Sequence, residues 1–283
     1  MMRRLFIGVP LIWLLAFFAA PFVIVAGISL VPALDASPPF ASPLNPANWT
    51  LDSYLLLIHD DLYVAAFANS LRIAFTATAI ALVIGYPMAY AMARAPERWR
   101  FLLVMLVIVP FWTSFLIRVY AWMLLLRPTG LINSALIGLG LIDEKLRLDA
   151  GELAVHLSLV YSYLPFMVLP LYATLERLDP ALLEAAHDLG ARPFRAFLAV
   201  TLPLSLPGVA AGSLLVFIPA VGEFIIPDLL GGPDTPMIGK ILWTEFFNNR
   251  DWPAASALAV GLLALLVAPI LAFQAVERRA ASS

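Results

Sequence analysis

One polar segment, between two long apolar runs, carries several side chains that could act chemically. Glu184, His187 and Asp188 lie close together there, and Arg192 and Arg195 follow them. Carboxylate, imidazole and guanidinium groups can transfer protons, form ion pairs or bind a partner. The sequence nevertheless lacks the Gly-x-Ser-x-Gly and His-Glu-x-x-His motifs that would indicate a membrane-bound enzyme. We therefore expect this segment to bind a partner.

Two charged side chains, Arg118 and Glu223, lie within apolar runs. A lone arginine at the centre of a bilayer costs about 2.5 to 3.5 kcal/mol on insertion scales. The two groups could neutralise each other as a structural ion pair, or reach the outer interface. Alternatively Glu223, with Asp228 beyond it, provides the anion for a cationic substrate. The aromatic faces that would attract ammonium groups are then Trp112, Tyr120, Trp122 and Trp243.

The composition is that of an integral membrane protein. Of 283 residues, 62% are hydrophobic and 13% are charged, and the mean hydropathy is +0.92. The net charge of -2 and the lack of a long basic block argue against nucleic-acid binding. Without cysteine, and with His59, His156 and His187 far apart, the sequence does not predict a metal site.

Membrane spans are the main structural prediction. A span needs about 20 mainly apolar residues. Pro165 and Pro170 predict a kink in the fourth span, and the first apolar run is too long for a signal peptide core, so we expect it to be retained. The six predicted spans are 6–31, 66–93, 101–126, 153–175, 204–226 and 254–274.

The distribution of Lys and Arg predicts the orientation. If the N-terminal side is cytoplasmic, the other side receives only Arg127, Lys145, Arg147, Lys240 and Arg250. Both termini and the polar segment are then cytoplasmic. The cytoplasmic side receives Arg3, Arg4, Arg94, Arg98, Arg100, Arg177, Arg192, Arg195, Arg278 and Arg279.

The polar segment itself predicts two short helices. Asp179-Pro180 is a helix start signal and Gly190 is a stop signal. Pro193 can start a second helix, which should end near residue 201, before Leu202-Pro203. The first helix is amphipathic, which also fits a helix lying on lipid headgroups. Because its polar face carries acids rather than Lys and Arg, a protein partner fits better.

The same residues carry a family resemblance. Glu184-Ala185-Ala186, Gly190, Val200 and Leu202-Pro203 match, at every spacing, the cytoplasmic signature of binding-protein-dependent ABC importer permeases. The resemblance covers about residues 66–274. Stretches that resemble the polyamine branch, for putrescine or spermidine, are 111–115, 118–122, 222–232 and, for putrescine in particular, 246–253.

The resemblance implies an all-α integral membrane protein of six transmembrane helices with the MetI-like ABC importer permease fold. It implies three parts. Residues 1–65 form the first transmembrane helix and a periplasmic loop, and residues 66–274 form a permease core with a cytoplasmic coupling segment at 177–203. Residues 275–283 form a cytoplasmic tail.

The resemblance also implies that the helices at 180–203 couple this chain to a separate ATPase. The implied coupling residues are Glu184, Ala185, Ala186, Gly190, Leu202 and Pro203. This sequence has no phosphate-binding loop, since Gly239-Lys240 lacks the preceding glycine and is followed by Ile241. We therefore expect no enzymatic activity and no cofactor in this chain, with ATP and Mg bound by the partner.

The implied partners are two ATPase subunits, a second permease chain that is related but different, a periplasmic or extracellular substrate-binding protein, and the lipid of a bacterial inner membrane. Polyamine is the expected cargo, with iron(III), phosphonate or another organic cation as alternatives. A secondary transporter driven by an ion gradient is a further alternative, but the sequence shows no internal repeat.

Overall fold

The computed structural model describes residues 2–233 and 235–281, with side chains at 8–233 and 235–267. The regular secondary structure of the described residues is helical, apart from one isolated β-bridge between Ala33 and Phe40. The helices are α1 (Met2–Leu14), α2 (Ala20–Ile28), α3 (Asp52–His59), α4 (Asp61–Arg94), α5 (Glu97–Ile108), α6 (Phe115–Leu126), α7 (Leu131–Gly138), α8 (Glu152–Leu175), α9 (Pro180–Asp188), α10 (Pro193–Ala196), α11 (Leu202–Val221), α12 (Ile225–Leu230), α13 (Ile238–Trp243) and α14 (Trp252–Ala281).

Within the residues that the structure describes, five helical stretches are long and apolar enough to cross a membrane, and a shorter apolar helix follows at Trp252–Val267. By helix length and composition, the prediction of an all-α protein with six apolar spans is confirmed, with the sixth span shorter than the others. The side chains of Arg3, Arg4, Arg278 and Arg279 and the end of the predicted tail 275–283 lie outside the described part. The five long stretches are Gly8–Ile28, Asp61–Arg94, Phe115–Gly138, Glu152–Leu175 and Pro193–Val221.

The chain divides into two compact units, one formed by residues 69–237 and the other by the residues on either side. In the flanking unit, α14 packs against α2 and α3. Its core contains a buried carboxylate, Glu245, which accepts hydrogen bonds from the Tyr63 hydroxyl at 3.0 Å and the Asn249 amide at 2.9 Å. The apolar core around Tyr63 comprises Leu57, Ala66, Ile238, Ala257 and Leu258.

The central unit, residues 69–237, is organised around the packing of α8 against α11. Glycines allow the close approach. A Cβ on Gly208 would lie 2.6 Å from Thr174 Oγ1, and a Cβ on Gly212 would lie 2.9 Å from Met167 Sδ. Helix α8 is unbroken despite Pro165 and Pro170, so the expected kink does not interrupt it.

The predicted third span, 101–126, is interrupted. Helix α5 ends at Ile108, a 3₁₀ turn covers Val109–Trp112, and α6 starts only at Phe115. Pro110 removes a backbone donor, and Thr113 and Ser114 adopt ψ angles of 151° and 136°, which are extended. The apolar stretch that spans by length is Phe115–Gly138, which contains α6 and α7.

The predicted end of the second cytoplasmic helix at Leu202-Pro203 is wrong. Helix α10 continues through a π-helical segment, Phe197–Thr201, directly into α11. The Leu202 amide donates to the Phe197 carbonyl in the wider π pattern. This wider turn accommodates Pro203, whose ring would crowd the carbonyl four residues earlier in a regular α-helix.

Candidate functional site: a coupling segment and an intramembrane cavity

The polar segment folds as its sequence predicts at both ends of α9. The Asp179 carboxylate accepts a hydrogen bond from the Ala181 amide at 2.9 Å, and Pro180 occupies the first turn. At the other end, Gly190 adopts φ +81°, and the Ala191 amide donates to the Ala186 carbonyl at 3.0 Å. This closure satisfies free carbonyls of the last turn, so α9 is a capped, defined unit.

The exposed surface of this segment combines apolar and charged side chains. Leu189 is 89% exposed and Phe194 is 72% exposed, and Glu184 and Ala185 are also exposed. Ala186 and Leu202 are half-buried, whereas Gly190 and Pro203 are exposed. Exposed leucine and phenylalanine side chains next to charged ones are typical of a protein-binding surface. The six predicted coupling residues therefore lie in α9, in the turn at Gly190 and at the start of α11, and four of them are exposed.

The two helix breaks of the central unit meet at a cavity of about 620 Å³. The break between α5 and α6 supplies Phe111, and the first turns of α6 supply Phe115 and Arg118. The break after α11, at residues 222–224, supplies Glu223. Interrupted spans leave polar backbone groups that must line a cavity or bind protein groups, and transporters often place substrate at such points. The remaining lining residues are Ser162, Tyr163, Phe166, Leu214, Leu215, Ile218, Pro219, Gly222, Phe224 and Ile225.

Glu223 is 7% exposed and lies in the turn rather than in the fifth span, because α11 ends at Val221. Its Oε1 accepts hydrogen bonds from the backbone amides of Phe224 and Ile225 at 3.1 and 3.0 Å. Its Oε2 accepts a hydrogen bond from the Tyr163 hydroxyl. The carboxylate thus satisfies amides at the start of α12, where negative charge is favourable.

The predicted ion pair between Arg118 and Glu223 does not form in this structure. Among the described residues, the pairs within 4.0 Å are Arg72 with Glu152, Arg100 with Glu176, and His156 with Glu152. The Arg118 guanidinium instead lies 5.0 Å from the ring centre of Phe111 and 5.7 Å from that of Phe115.

The predicted aromatic residues do not line this cavity. Trp112 is 75% exposed, Tyr120 is 47% exposed, and Trp122 packs edge-on against Tyr161 at 5.5 Å. Asp228 is exposed on α12, and Trp243 belongs to the flanking unit, where it packs on Phe247. The aromatic lining is instead Phe111, Phe115, Tyr163, Phe166 and Phe224.

A second cavity, of about 390 Å³, shares Phe111 and Arg118 with the first. Its other lining residues are almost all apolar and include Met88 of α4, Leu106 of α5 and Leu164 of α8. The described part of the chain contains no group of three or more His, Asp or Glu side chains that could hold a metal ion. The chemistry available in this region is therefore one cation, one anion, hydroxyl groups and aromatic faces.

Comparison with known proteins decides the family. Residues 81–282 match the family of binding-protein-dependent transport system inner membrane components. The chain belongs to this family. As a transport component of the inner membrane, the permease resembles the spermidine/putrescine transport system permease protein PotB of Escherichia coli, with 41% identity over 94% of each chain.

Two further relatives describe the permease more broadly. PotC, a permease protein of the spermidine/putrescine system in the same organism, is 27% identical and covers 83% of this chain and 82% of its own length. A bacterial alginate ABC transporter, solved in complex with its alginate-bound periplasmic protein, aligns with a TM-score of 0.72 and 18% identity over 98% of this chain and 96% of that chain. This likeness confirms the predicted ABC importer permease fold.

Sequence reasoning missed Phe111, Phe115, Tyr163 and Ser162 as cavity residues. A signal for the first two was present, since Pro110 followed by Thr113-Ser114 interrupts an otherwise apolar run. Tyr163 and Ser162 lie in the middle of α8, and nothing in the local sequence indicates which face of that helix meets the two breaks.

Proposed function

We propose that this permease is a transmembrane subunit of an ATP-driven importer whose cargo is a polyamine, putrescine or spermidine. The observation that carries the proposal is the similarity to a permease of a spermidine/putrescine system, which spans nearly the whole of both chains. A cavity flanked by two interrupted helices fits a transport role. Iron(III), a phosphonate or another organic cation, and transport driven by an ion gradient, are the alternatives to be tested.

The coupling role belongs, in this proposal, to residues 177–203 in the cytoplasm. Glu184, Ala185, Ala186 and Gly190 dock in a cleft of an ATPase, which would bury the bare Leu189 side chain. Leu202 and Pro203 are the first residues of α11, into which the helix from Pro193 continues. The helix is continuous from Pro193 to Val221, so a movement that reaches Pro193 through the turn at Gly190 would pass along one helix to the cavity wall.

The proposed assembly contains two ATPase subunits, a second permease chain and a substrate-binding protein on the outer side of the membrane. A related but different second permease is supported by PotB and PotC, two relatives of this chain that belong to a spermidine/putrescine system in one organism. ATP and Mg are bound by the ATPase subunits, and this chain holds no cofactor. Both termini face the cytoplasm, 1–65 forms the first span with an outer loop, 66–274 forms the core, and 275–283 forms the tail.

The cargo path, in this proposal, passes the cavity between the two helix breaks. Glu223 contributes negative charge there, and the rings of Phe111, Phe115 and Tyr163 take the role first expected of Trp112, Tyr120, Trp122 and Trp243. Asp228, exposed on α12, remains a candidate for attracting cargo. The neighbouring Leu214 and Ile218 offer apolar surface for the methylene chain of a polyamine.

The test is ATP hydrolysis by the assembled complex in proteoliposomes, with the binding protein supplied loaded or empty. We expect binding protein loaded with putrescine or spermidine to raise hydrolysis several-fold over the empty protein, and iron(III) or a phosphonate to have no effect. If the permease purifies without an ATPase, the importer proposal is wrong. If it purifies with one but responds only to another cargo, the polyamine assignment is wrong.

A further inference from the structure

We propose that the cavity contains an ammonium-binding site that Arg118 of the same chain occupies in this structure. The site lies against the rings of Phe111 and Phe115, and the cargo that competes for it is an alkylammonium group. The inference rests on the proposed function, because it assumes that the imported cargo is a polyamine.

The first observation is the isolation of Arg118. The residue is 7% exposed, and its Nε is buried without a hydrogen-bond partner. Within the described residues its guanidinium has no carboxylate within 4.0 Å. A buried arginine normally has a counter-ion or a set of acceptors, because an unpaired charge in an apolar setting is costly. Among the described residues, the partners of the Arg118 guanidinium are the aromatic faces of Phe111 and Phe115.

The second observation is how those faces are arranged. The guanidinium carbon lies 5.0 Å from the centre of Phe111 and 5.7 Å from that of Phe115, both within the range of cation–π attraction. Phe111 is itself held by an edge-on contact with Phe166, with ring centres 5.1 Å apart. The rings thus form a cation-binding surface, and the cation that they now bind is a side chain of the same protein.

The rest of the cavity supplies what an alkylammonium needs. Glu223 provides a carboxylate on the lining, and its Oε2 accepts one hydrogen bond within the chain, from Tyr163, although a carboxylate oxygen can accept two. Ser162 is 1% exposed, and its hydroxyl is buried without a partner. Ammonium groups donate up to three hydrogen bonds, whereas the rings hold their charge.

Arg118 therefore competes with cargo for one position. Because no ion pair or hydrogen bond holds its guanidinium within the described residues, cargo that moves Arg118 has to replace only its attraction to the rings. A cargo cation that displaces Arg118 gains the cation–π contacts with Phe111 and Phe115, but it remains near the positive charge of the displaced guanidinium. Arg118 would weaken cargo binding in this conformation, which favours release over retention.

The deciding experiment is direct binding of radiolabelled spermidine to the purified complex of this chain with its second permease and ATPase, in nanodiscs without the binding protein. Arg118→Met keeps an unbranched, apolar stem and removes the guanidinium with its charge. We expect it to bind spermidine about tenfold more tightly, equivalent to about 1.4 kcal/mol. Arg118→Lys, which restores a cation, should return affinity toward that of the unmodified complex.

Two further variants keep the result interpretable. Arg127→Met removes an exposed arginine beyond the other end of α6 and should bind as the unmodified complex does. Arg118→Gln is the second neutral variant, to be used if Arg118→Met does not assemble. A gain also seen in Arg127→Met would reflect general loss of charge and would overturn the site assignment.

The inference is overturned if neutral variants bind spermidine with unchanged or lower affinity. It is also overturned if they lose binding of an anion such as phosphonate instead, because Arg118 would then be an anion-binding group. The proposed function is judged separately, by polyamine-stimulated hydrolysis in the unmodified complex. If that stimulation is present and the neutral variants show no gain, only the Arg118 inference fails.

Discussion

The hydroxyl of Tyr163, in the middle of α8, donates a hydrogen bond to the carboxylate of Glu223, in the turn between α11 and α12. This hydrogen bond joins α8 to the break between α11 and α12. The same carboxylate accepts hydrogen bonds from two backbone amides at the start of α12. Glu223 is therefore both a cap for the break and the acidic group of the cavity, and the two roles can be separated experimentally.

Glu223→Gln should separate them. Glutamine retains one carbonyl oxygen for the Phe224 and Ile225 amides, so the protein should still assemble, with a loss of about 1 to 2 kcal/mol in stability. Loss of the negative charge should lower polyamine uptake by tenfold or more. Uptake kinetics and thermal unfolding of the purified complex measure the two effects. An uptake rate and apparent affinity equal to those of the unmodified protein would remove Glu223 from the cargo path.

Tyr163→Phe tests the contact alone. The ring stays in place while the hydrogen bond to a charged group is lost, which typically costs about 1.5 to 3 kcal/mol. We expect a lower unfolding temperature and a smaller loss of uptake than for Glu223→Gln, since the carboxylate remains charged. A double-mutant cycle between the two sites should give a coupling free energy above 0.5 kcal/mol in size. Strict additivity would mean that the contact is not present in the working protein.

Leu189→Asp tests the proposed docking of residues 177–203 on an ATPase. The side chain is almost fully exposed, so the change should leave the folding of the permease unaffected, because no packed neighbour is lost. An aspartate at an apolar contact should reduce the amount of ATPase that copurifies by at least fivefold. The matched control is Leu44→Asp, at a leucine that is equally exposed on the loop between α2 and α3. Equal copurification with both variants would contradict the assignment of the coupling segment.

Gly190→Ala tests the turn that ends α9. At φ +81° an L-residue with a Cβ is strained by about 1 to 2 kcal/mol, although a Cβ there would have no neighbour within 4 Å. We expect weaker ATPase association without a change in the amount of permease in the membrane. Gly190→Asn, which tolerates this conformation better, should retain most of the association. If alanine and asparagine behave alike, backbone strain is not the cause.

Gly212→Ala tests the packing of α8 against α11. The added methyl group would approach Met167 Sδ at 2.9 Å and the Met167 carbonyl at 3.0 Å, so the helices must move apart, at a cost of about 1 to 3 kcal/mol. A lower unfolding temperature should follow. Gly138→Ala is the control, because a methyl group there meets no atom within 4 Å. A stable Gly212→Ala protein would show that this helix pair is loosely packed.

The sequence was sufficient for features that depend on local chemistry. Asp179 and Gly190 act as cap and stop where their residue types predict, and apolar length locates the spans. The sequence was insufficient where the backbone changes from the α-helical pattern to a 3₁₀ or π-helical one. Residues 101–126 are apolar enough to be predicted as one span, yet the helix breaks at Pro110. Leu202-Pro203 predicts a helix end, yet a π-helical turn continues the helix through it. The cavity could not be foreseen because it depends on which faces of α6, α8 and α11 meet.

Uptake of labelled putrescine and spermidine tests the central claim most directly. The chain would be expressed with its ATPase, second permease and binding protein in bacteria that lack their own polyamine importers, beside a matched strain whose ATPase cannot hydrolyse ATP. We predict concentrative uptake of at least one polyamine in the first strain and uptake at the level of the empty strain in the second. Equal accumulation in both strains, or accumulation in neither, would contradict the assignment of this chain to an ATP-driven polyamine importer.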